Sequence, residues 1–225
     1  MKENKQSINI ANKPFKPILI PDLLSEQEAN QLIQFSRTHK HLRSIGDGSD
    51  YTAIDKIHIH TQWVRNLINR VDFTVVSEIR KVTDQLVFPE QCIFTEWEIG
   101  GFQDPHLDTY SNVELTNLSS EEIKHLETHP SREWTCILNI NSNYGGGETF
   151  FPPTQVNPII YTHEPVARQG VVFQGIYHPH GVNKVRRNSR HTIATWYSSN
   201  DANMIPDATT KDLEMNHLSF PKSLK

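Results

Sequence analysis

Apolar residues recur along this chain with two different periods, and the change between them divides it. Val64, Leu67, Ile68, Val71, Val75, Ile79, Val82 and Leu86 form a stripe of helical period, which predicts a helix over 63–86. Upstream, 17–20 reads as a first strand. Ser25-Glu26-Gln27-Glu28 then sets Ser at a helix start with Glu three residues on, the reciprocal cap that opens a helix running to about Thr38. Residues 43–50 are a Gly/Asp-rich loop, and 53–60 alternates like a strand, with His58 and His60 on its outward side between Ile57 and Ile59. From Gln91 onward the pattern is one of short strands and turns: 91–98, 103–109, 133–140, 148–151, 157–163, 170–174, 180–185 and 190–197. That succession suffices for a jelly roll.

The expected architecture is therefore mainly β with flanking helices: a double-stranded β-helix (jelly roll) buttressed by N-terminal helices. One catalytic domain over 1–225 is expected, with a helical buttress at 17–90, a jelly-roll core at 91–198 and a polar tail at 199–225. The polar stretch 112–129, with Leu118, Ile123 and Leu126, reads as a loop carrying a short helix, either a lid or a passive insertion.

Composition narrows the function classes. A length of 225 residues is within what one all-β domain reaches. The net charge of −4 and the absence of a long Lys/Arg block give no footprint for nucleic acid. Lys184, Arg186 and Arg187 are the densest basic patch and read as a solvated loop. Cys92 and Cys136 lie in apolar runs, as buried reduced thiols rather than a disulfide framework. Residues 1–16 are polar and lack the apolar stretch of a secretory signal. No run of about 18 apolar residues exists to span a membrane. A cytoplasmic protein is expected.

The candidate chemistry begins at His106-Leu107-Asp108. On a strand, positions 106 and 108 share a face, so an imidazole and a carboxylate converge from one short segment. With a distant second imidazole they make two nitrogens and one carboxylate, a set that can occupy one face of an octahedral ferrous ion and leave the other face open. The pair alone is a weak signal among twelve histidines. His178 and His180 both project to the same face of an extended segment, so spacing alone leaves either as the distal ligand. His191 should face away from Arg190. Gly145-Gly146-Gly147 reads as a turn that needs unusual backbone angles.

Several motifs in one order then carry a resemblance. Gly100-Gly101-Phe102-Gln103-Asp104-Pro105 leads into the His-x-Asp pair, and Gly146-Gly147-Glu148-Thr149-Phe150 follows it. Gly170-Val171-Val172-Phe173, His180, Val185, Arg190 and Trp196 come next. From Trp97 to Trp196 the chain resembles the prolyl 4-hydroxylase-like branch of the 2-oxoglutarate- and Fe(II)-dependent dioxygenases. A looser similarity reaches back to about Pro17 through Leu23-Leu24-Ser25-Glu26-Gln27-Glu28. The resemblance selects His180 over His178, so that His106, Asp108 and His180 would be the metal ligands. It implies Fe(II) and 2-oxoglutarate as cofactor and co-substrate, with ascorbate as an optional addition. It also implies dioxygen as a reactant, decarboxylation of 2-oxoglutarate to succinate, and hydroxylation of an unactivated C–H bond. The far carboxylate of 2-oxoglutarate needs a fixed cation. Arg190 is the candidate, since a guanidinium grips a carboxylate bidentately and stays charged when buried. Thr192, two residues on, would share its face and add a hydrogen bond.

Two positions depart from that family's pattern. Trp97 stands where a Tyr is frequent, nine residues before the first metal His. Asn139, in Asn139-Ile140-Asn141, stands where a second Tyr often helps to bind the co-substrate; its amide is the candidate replacement. Trp134, Tyr110 and Phe173 are either pocket wall or core. The expected substrate is a peptidyl proline, or else a free amino acid or small metabolite. A jelly-roll sensor of metal and 2-oxoglutarate without turnover is the alternative of another class. Halogenation is disfavoured because Asp108 retains the carboxylate ligand whose loss would admit halide.

Overall fold

A computed structural model describes residues 15–45, 51–108, 132–154 and 158–200. The expected lid at 112–129, Tyr110 and nearly all of the tail lie outside the described residues. The N-terminal part contains β1 (Ile18–Ile20), α1 (Glu26–Thr38), β2 (Ser44–Ile45), β3 (Tyr51–Asp55) and α2 (Gln62–Thr83). There follow β4 (Phe88–Trp97), β5 (Gln103–His106), β6 (Trp134–Asn139), β7 (Gly145–Gly146), β8 (Thr149–Phe151) and β9 (Tyr161–His163). The last strands are β10 (Gly170–Phe173), β11 (His180–Val182), β12 (Val185–Arg187) and β13 (Arg190–Ser198). Mainly β with two flanking α-helices, this is the expected class.

Local chemistry starts α1 where the sequence places it. The Glu28 backbone N–H donates to Ser25 Oγ at 3.2 Å, and the Ser25 backbone N–H donates to Glu28 Oε2 at 2.8 Å, closing the capping box. The second helix stops three residues short of the predicted end. Asp84 takes a left-handed φ of 57° and donates its backbone N–H to Arg80 O, which terminates the helix before Leu86. Val82, counted in the apolar stripe, is 60% exposed. The predicted strand 53–60 is shorter too. β3 ends at Asp55, whose carboxylate accepts the Ile57 backbone N–H and caps a turn of 3-10 helix over Lys56–His58. His58 and His60 are exposed as expected, but from that turn and its exit rather than from a strand.

Two sheets frame the interior. The larger runs β1-β10-β6-β13-β4-β3-β2, antiparallel throughout, and the smaller runs β5-β11-β8-β9. Strands β4, β6 and β13 are central in the larger sheet and buried on both faces, and period-2 alternation gives each face its own composition. One face presents Phe94, Cys136, Leu138, Ile193 and Tyr197 to Leu32, Phe35, Ile68, Val75 and Ile79 of the two helices. Full burial of each such apolar side chain contributes roughly 1.5–3 kcal/mol. Cys92 and Cys136 are unpaired and buried here, and burial pushes the Cys92 thiol up to about 12. The opposite face looks toward the smaller sheet, and the candidate site lies between them.

The predicted strand 180–185 is two strands. β11 pairs with β5 and β8, whereas Val185 begins β12, which pairs with β7 as a separate ribbon. The turn at β7 needs its glycines. Gly146 and Gly147 both have φ of 70°, and a Cβ on Gly146 would lie 2.1 Å from Lys184 O. Lys184, Arg186 and Arg187 are exposed, as the solvated reading expects.

Candidate metal and co-substrate site

His106 and His180 are direct register partners across β5 and β11, with ring centroids 4.6 Å apart. Asp108 joins them from a turn rather than from the strand, because β5 ends at His106. That turn is tied down by the Asp108 backbone N–H, which donates to Gly175 O at 3.2 Å. His106 Nε2 lies 3.7 Å from Asp108 Oδ1, and His180 Nε2 lies 3.4 Å from Asp108 Oδ2. One ligand atom from each of the three falls within 4.8 Å of the others, the only such cluster among the described residues.

Each imidazole is oriented by a backbone carbonyl two residues upstream. His106 Nδ1 is 3.0 Å from Asp104 O, and His180 Nδ1 is 3.2 Å from His178 O. A carbonyl can only accept, so each Nδ1 carries the proton and each Nε2 turns a lone pair toward Asp108. Thr135 Oγ1 donates to Asp108 Oδ2. Burial opposes ionisation of Asp108, but His180, His106 and the Thr135 hydroxyl outweigh it and hold the carboxyl below its ordinary value. Burial lowers the His180 pKa, against the pull of Asp108. Two imidazole nitrogens and one carboxylate are a donor set that a divalent ion can use.

His178 lies outside this cluster. Its ring packs edge-on against Phe15, 5.2 Å between centroids, in a slot shared with Phe151 and Tyr161. Its contribution to the trio is its backbone carbonyl. Phe173 is core, and its ring stands 4.6 Å from that of His180 as a rigid backing. Trp134 belongs to the helix-facing core, with its indole N–H on Gln85 Oε1 at 3.2 Å.

The cavity continues from the trio along the larger sheet, lined by Thr95, Trp97, Arg190, Thr192 and Trp196 among others. Arg190 begins β13 opposite Trp97, and Thr192 lies between Asn139 on β6 and Thr95 on β4. Arg190 is 2% exposed. Its Nη2 donates to Thr149 Oγ1 at 2.9 Å, while Nε and Nη1 have no hydrogen-bond partner among the described residues. Burial lowers its pKa, with Tyr144 and Glu148 working the other way. A buried guanidinium with two unused donors is the chemistry of a carboxylate receptor. Trp97 forms the wall beside it, its ring centroid 5.6 Å from the guanidinium carbon and its indole N–H on Thr95 Oγ1 at 3.1 Å. Thr95 and Thr192 hydroxyls are hydrogen-bonded to each other. Asn139 is buried with Nδ2 unpartnered. His191 turns to the opposite face, toward Phe94.

Four contributors escape a reading by motif. Thr135 orients Asp108. Tyr144 and His163 each act electrostatically on Arg190 or feel it. Gly175 is required because a Cβ there would lie 2.3 Å from both Asp108 Oδ2 and Thr135 Oγ1. Only Thr149 stood inside a quoted motif.

Comparison with known proteins agrees with this geometry. Residues 92–198 match the family model of the 2OG-Fe(II) oxygenase superfamily. Prolyl 3-hydroxylase 1 of Mus musculus is 23% identical over 168 residues, covering 69% of this chain and 23% of that protein. Its Homo sapiens counterpart is 25% identical over 165 residues, covering 68% of this chain and 22% of that protein. The chain thus spans less than a quarter of the length of these curated relatives. Among solved structures, a Pseudomonas putida prolyl-4-hydroxylase superposes with a TM-score of 0.60 at 15% identity, covering 82% of this chain and 92% of that one. The viral collagen prolyl hydroxylase of Paramecium Bursaria Chlorella virus-1, solved as its 2OG complex, gives 0.58 at 16% identity, covering 81% and 95%. These likenesses show the fold to be the jelly roll of that group. Residues 92–198 thus match the 2OG-Fe(II) oxygenase superfamily model, and the chain is similar to prolyl hydroxylases in sequence and in fold.

Proposed function

We propose that the chain hydroxylates an unactivated C–H bond in the prolyl 4-hydroxylase-like manner, with 2-oxoglutarate decarboxylated to succinate. The observation that carries this reading is Arg190: a buried guanidinium, two of its donors unused, on the wall of the cavity that contains the His106, Asp108 and His180 cluster. A structural arginine would have its donors paired; this one is set for an anion that enters the cavity.

In this reading His106 Nε2, Asp108 and His180 Nε2 would hold Fe(II), three protein ligands that leave room for co-substrate and dioxygen. The bound iron and 2-oxoglutarate supply the oxidising chemistry, and the protein supplies position and exclusion of water. Arg190 grips the far carboxylate. Thr95 takes the Trp97 indole N–H and shares a hydrogen bond with the Thr192 hydroxyl, which stands on the cavity wall. The Asn139 amide adds a further donor. Thr135 and the two backbone carbonyls hold the ligands in place.

Peptidyl proline is the preferred substrate because the relatives and several structural neighbours are prolyl hydroxylases, one of them solved in complex with a peptide fragment. A free amino acid or small metabolite is the second reading, favoured by Trp97 on the cavity wall and by Asn139 beside Thr192, both at positions where the family pattern has tyrosines. Cys92 and Cys136, buried and unpaired, suit the reducing interior of the cytoplasm, where iron stays ferrous. Among the described residues, no helix is long and apolar enough to cross a membrane.

The test is turnover. With Fe(II), oxygen and 2-oxoglutarate, and with ascorbate present or omitted, the protein should release succinate, faster in the presence of its substrate. Proline-containing peptides, free amino acids and cell metabolites are screened for a mass gain of one oxygen atom. Bound iron without succinate under every condition would sink the enzyme reading and leave the sensor.

A further inference from the structure

Phe173 is one of a chain of rings that backs His180. The His180 ring lies 4.6 Å from that of Phe173 and 6.0 Å from that of Phe151, between centroids. Phe151 in turn packs against Phe15 at 4.2 Å, and Phe15 meets Tyr161 at 5.1 Å and His178 at 5.2 Å. Phe15 is thus part of the apolar cluster of Phe151, Val171 and Phe173, which is separate from the helix-side core. It fills a slot whose walls include Phe151, Tyr161, His178 and Pro179. With its ring in place about 20 Å³ of the slot stays open, room for one water molecule.

Topology makes Phe15 a link between the sheets. It stands just before β1, the edge strand of the larger sheet, whereas Phe151 ends β8 and Tyr161 begins β9 in the smaller one. The slot also bears directly on the candidate ligand, because His178, Pro179 and His180 are consecutive. The first two line the slot and the third belongs to the metal-ligand cluster. Proline fixes its own φ and confines the residue before it to extended conformations. The seating of His178 and Pro179 therefore passes to the His178 carbonyl with little slack. That carbonyl receives the His180 Nδ1 proton at 3.2 Å, the long end of the ordinary range, so a small shift would open the bond. The His178 backbone N–H donates to Gln174 O at 3.1 Å and holds the start of the run, while Phe15 packs on the ring of the same residue.

We propose that Phe15 is a positioning residue for the metal site: its ring wedges His178 and Phe151 in place and so fixes the imidazole of His180. Two routes converge on that imidazole, one through the Phe151 and Phe173 rings and one through the His178 carbonyl. Without the wedge, the slot opens to water and His178 gains room to turn, which loosens the Nδ1 anchor. This rests on the reading of His180 as a metal ligand given above. It brings into the site a residue far outside the span 92–198 that matches the family model.

Anaerobic calorimetric titration with Fe(II) alone tests it without turnover. Loss of a group that orients a ligating histidine costs about 10–100-fold in metal affinity, and Phe15 acts one contact further out, so Phe15→Ala should weaken Fe(II) binding by about three- to ten-fold. Phe15→Leu, which refills part of the slot, should lose less. The control is Ile18→Ala, in the same segment but packed against the helix-side core. It should lower stability in urea and leave Fe(II) affinity unchanged. In the metal-free protein, the His180 Nδ1 proton signal, identified by its absence in His180→Gln, should exchange with solvent faster in Phe15→Ala than in Ile18→Ala. If Phe15→Ala does not fold, Phe15→Leu against Ile18→Ala makes the same comparison. Equal Fe(II) losses at positions 15 and 18 would mean that Phe15 only supports the fold, and the proposal would be wrong. It would also be wrong if the Phe15 variants bound Fe(II) normally while His180→Ala lost it; the reading of His180 would then stand. If the unaltered protein binds no Fe(II), that reading fails and this inference with it.

Discussion

Asp72 and Arg190 are both 2% exposed, on opposite sides of the same sheet, and the protein treats them differently. On the helix side, Asp72 accepts from the Tyr197 hydroxyl at 2.9 Å and from Lys56 Nζ at 3.4 Å, and Lys56 also donates to Asn69 Oδ1 at 3.0 Å. That network is closed within the protein. On the cavity side, Arg190 has one bond to Thr149 and two donors without a partner. Taking a charge out of water costs several kcal/mol, and only good partners offset it. Where the partners are internal, the charge serves the fold; where they are missing, the fold carries a cost that a ligand removes on binding.

Removing each charge should separate the two cases. Asp72→Ala leaves the Tyr197 hydroxyl without its acceptor and Lys56 without its counter-charge, with Asn69 to receive it, and should lower stability by about 3–5 kcal/mol in urea denaturation. Binding of 2-oxoglutarate by the folded fraction should be unaffected. A loss under 1 kcal/mol would show that the network is ornamental, and the contrast would collapse. Arg190→Met is the converse. Its 2-oxoglutarate affinity should fall by roughly 2–5 kcal/mol, the cost of truncating a buried charge partner, while iron binding survives and stability holds or rises. A variant that unfolds instead would place Arg190 with Asp72 as a structural charge.

A smaller effect follows from His163 beside Arg190. Its folded pKa lies below the unfolded value of about 6.5, so the unfolded chain binds the proton more readily. Its contribution to stability is therefore whole above pH ~6.5 and declines as pH falls from there toward the folded pKa. His163→Gln should flatten that part of the stability profile, measured by denaturation at several pH values; an unchanged profile would remove His163 from the argument. The smallest effect lies far from both charges. Ser25→Ala should cost about 1 kcal/mol through the opened cap of α1 and leave ligand binding alone, which sets the scale of a purely local loss.

Local physics decided what the sequence made legible. The helix-period stripe gave α2 and the Ser25/Glu28 box gave the start of α1, because both depend on residues within a few positions of each other. The same holds for His106 and Asp108, although the turn that brings Asp108 in depends on the distant Gly175 carbonyl. The 3-10 turn at Lys56–His58 was read as strand because alternation of His and Ile carries no trace of the Asp55 cap or of the partners of Lys56 across the fold. Strand 180–185 broke at Val185 because the glycine ribbon of β7 claims it. Tyr144 and His163 were invisible for the same reason: a loop and an edge strand place them beside Arg190, and no spacing in the chain encodes that meeting. Arg190 itself was legible only through resemblance.

The anchoring of each imidazole of the candidate metal site by a carbonyl two residues upstream has a consequence for how this protein can change. That hold depends on nothing at the Arg190 end of the cavity, so substitutions at Tyr144, Asn139, His163 or Trp97 can accumulate without disturbing the three ligand atoms. The two ends are separable units of inheritance. A lineage with this backbone is free to remodel the Arg190 end of the cavity while the His106, Asp108 and His180 arrangement passes on unaltered.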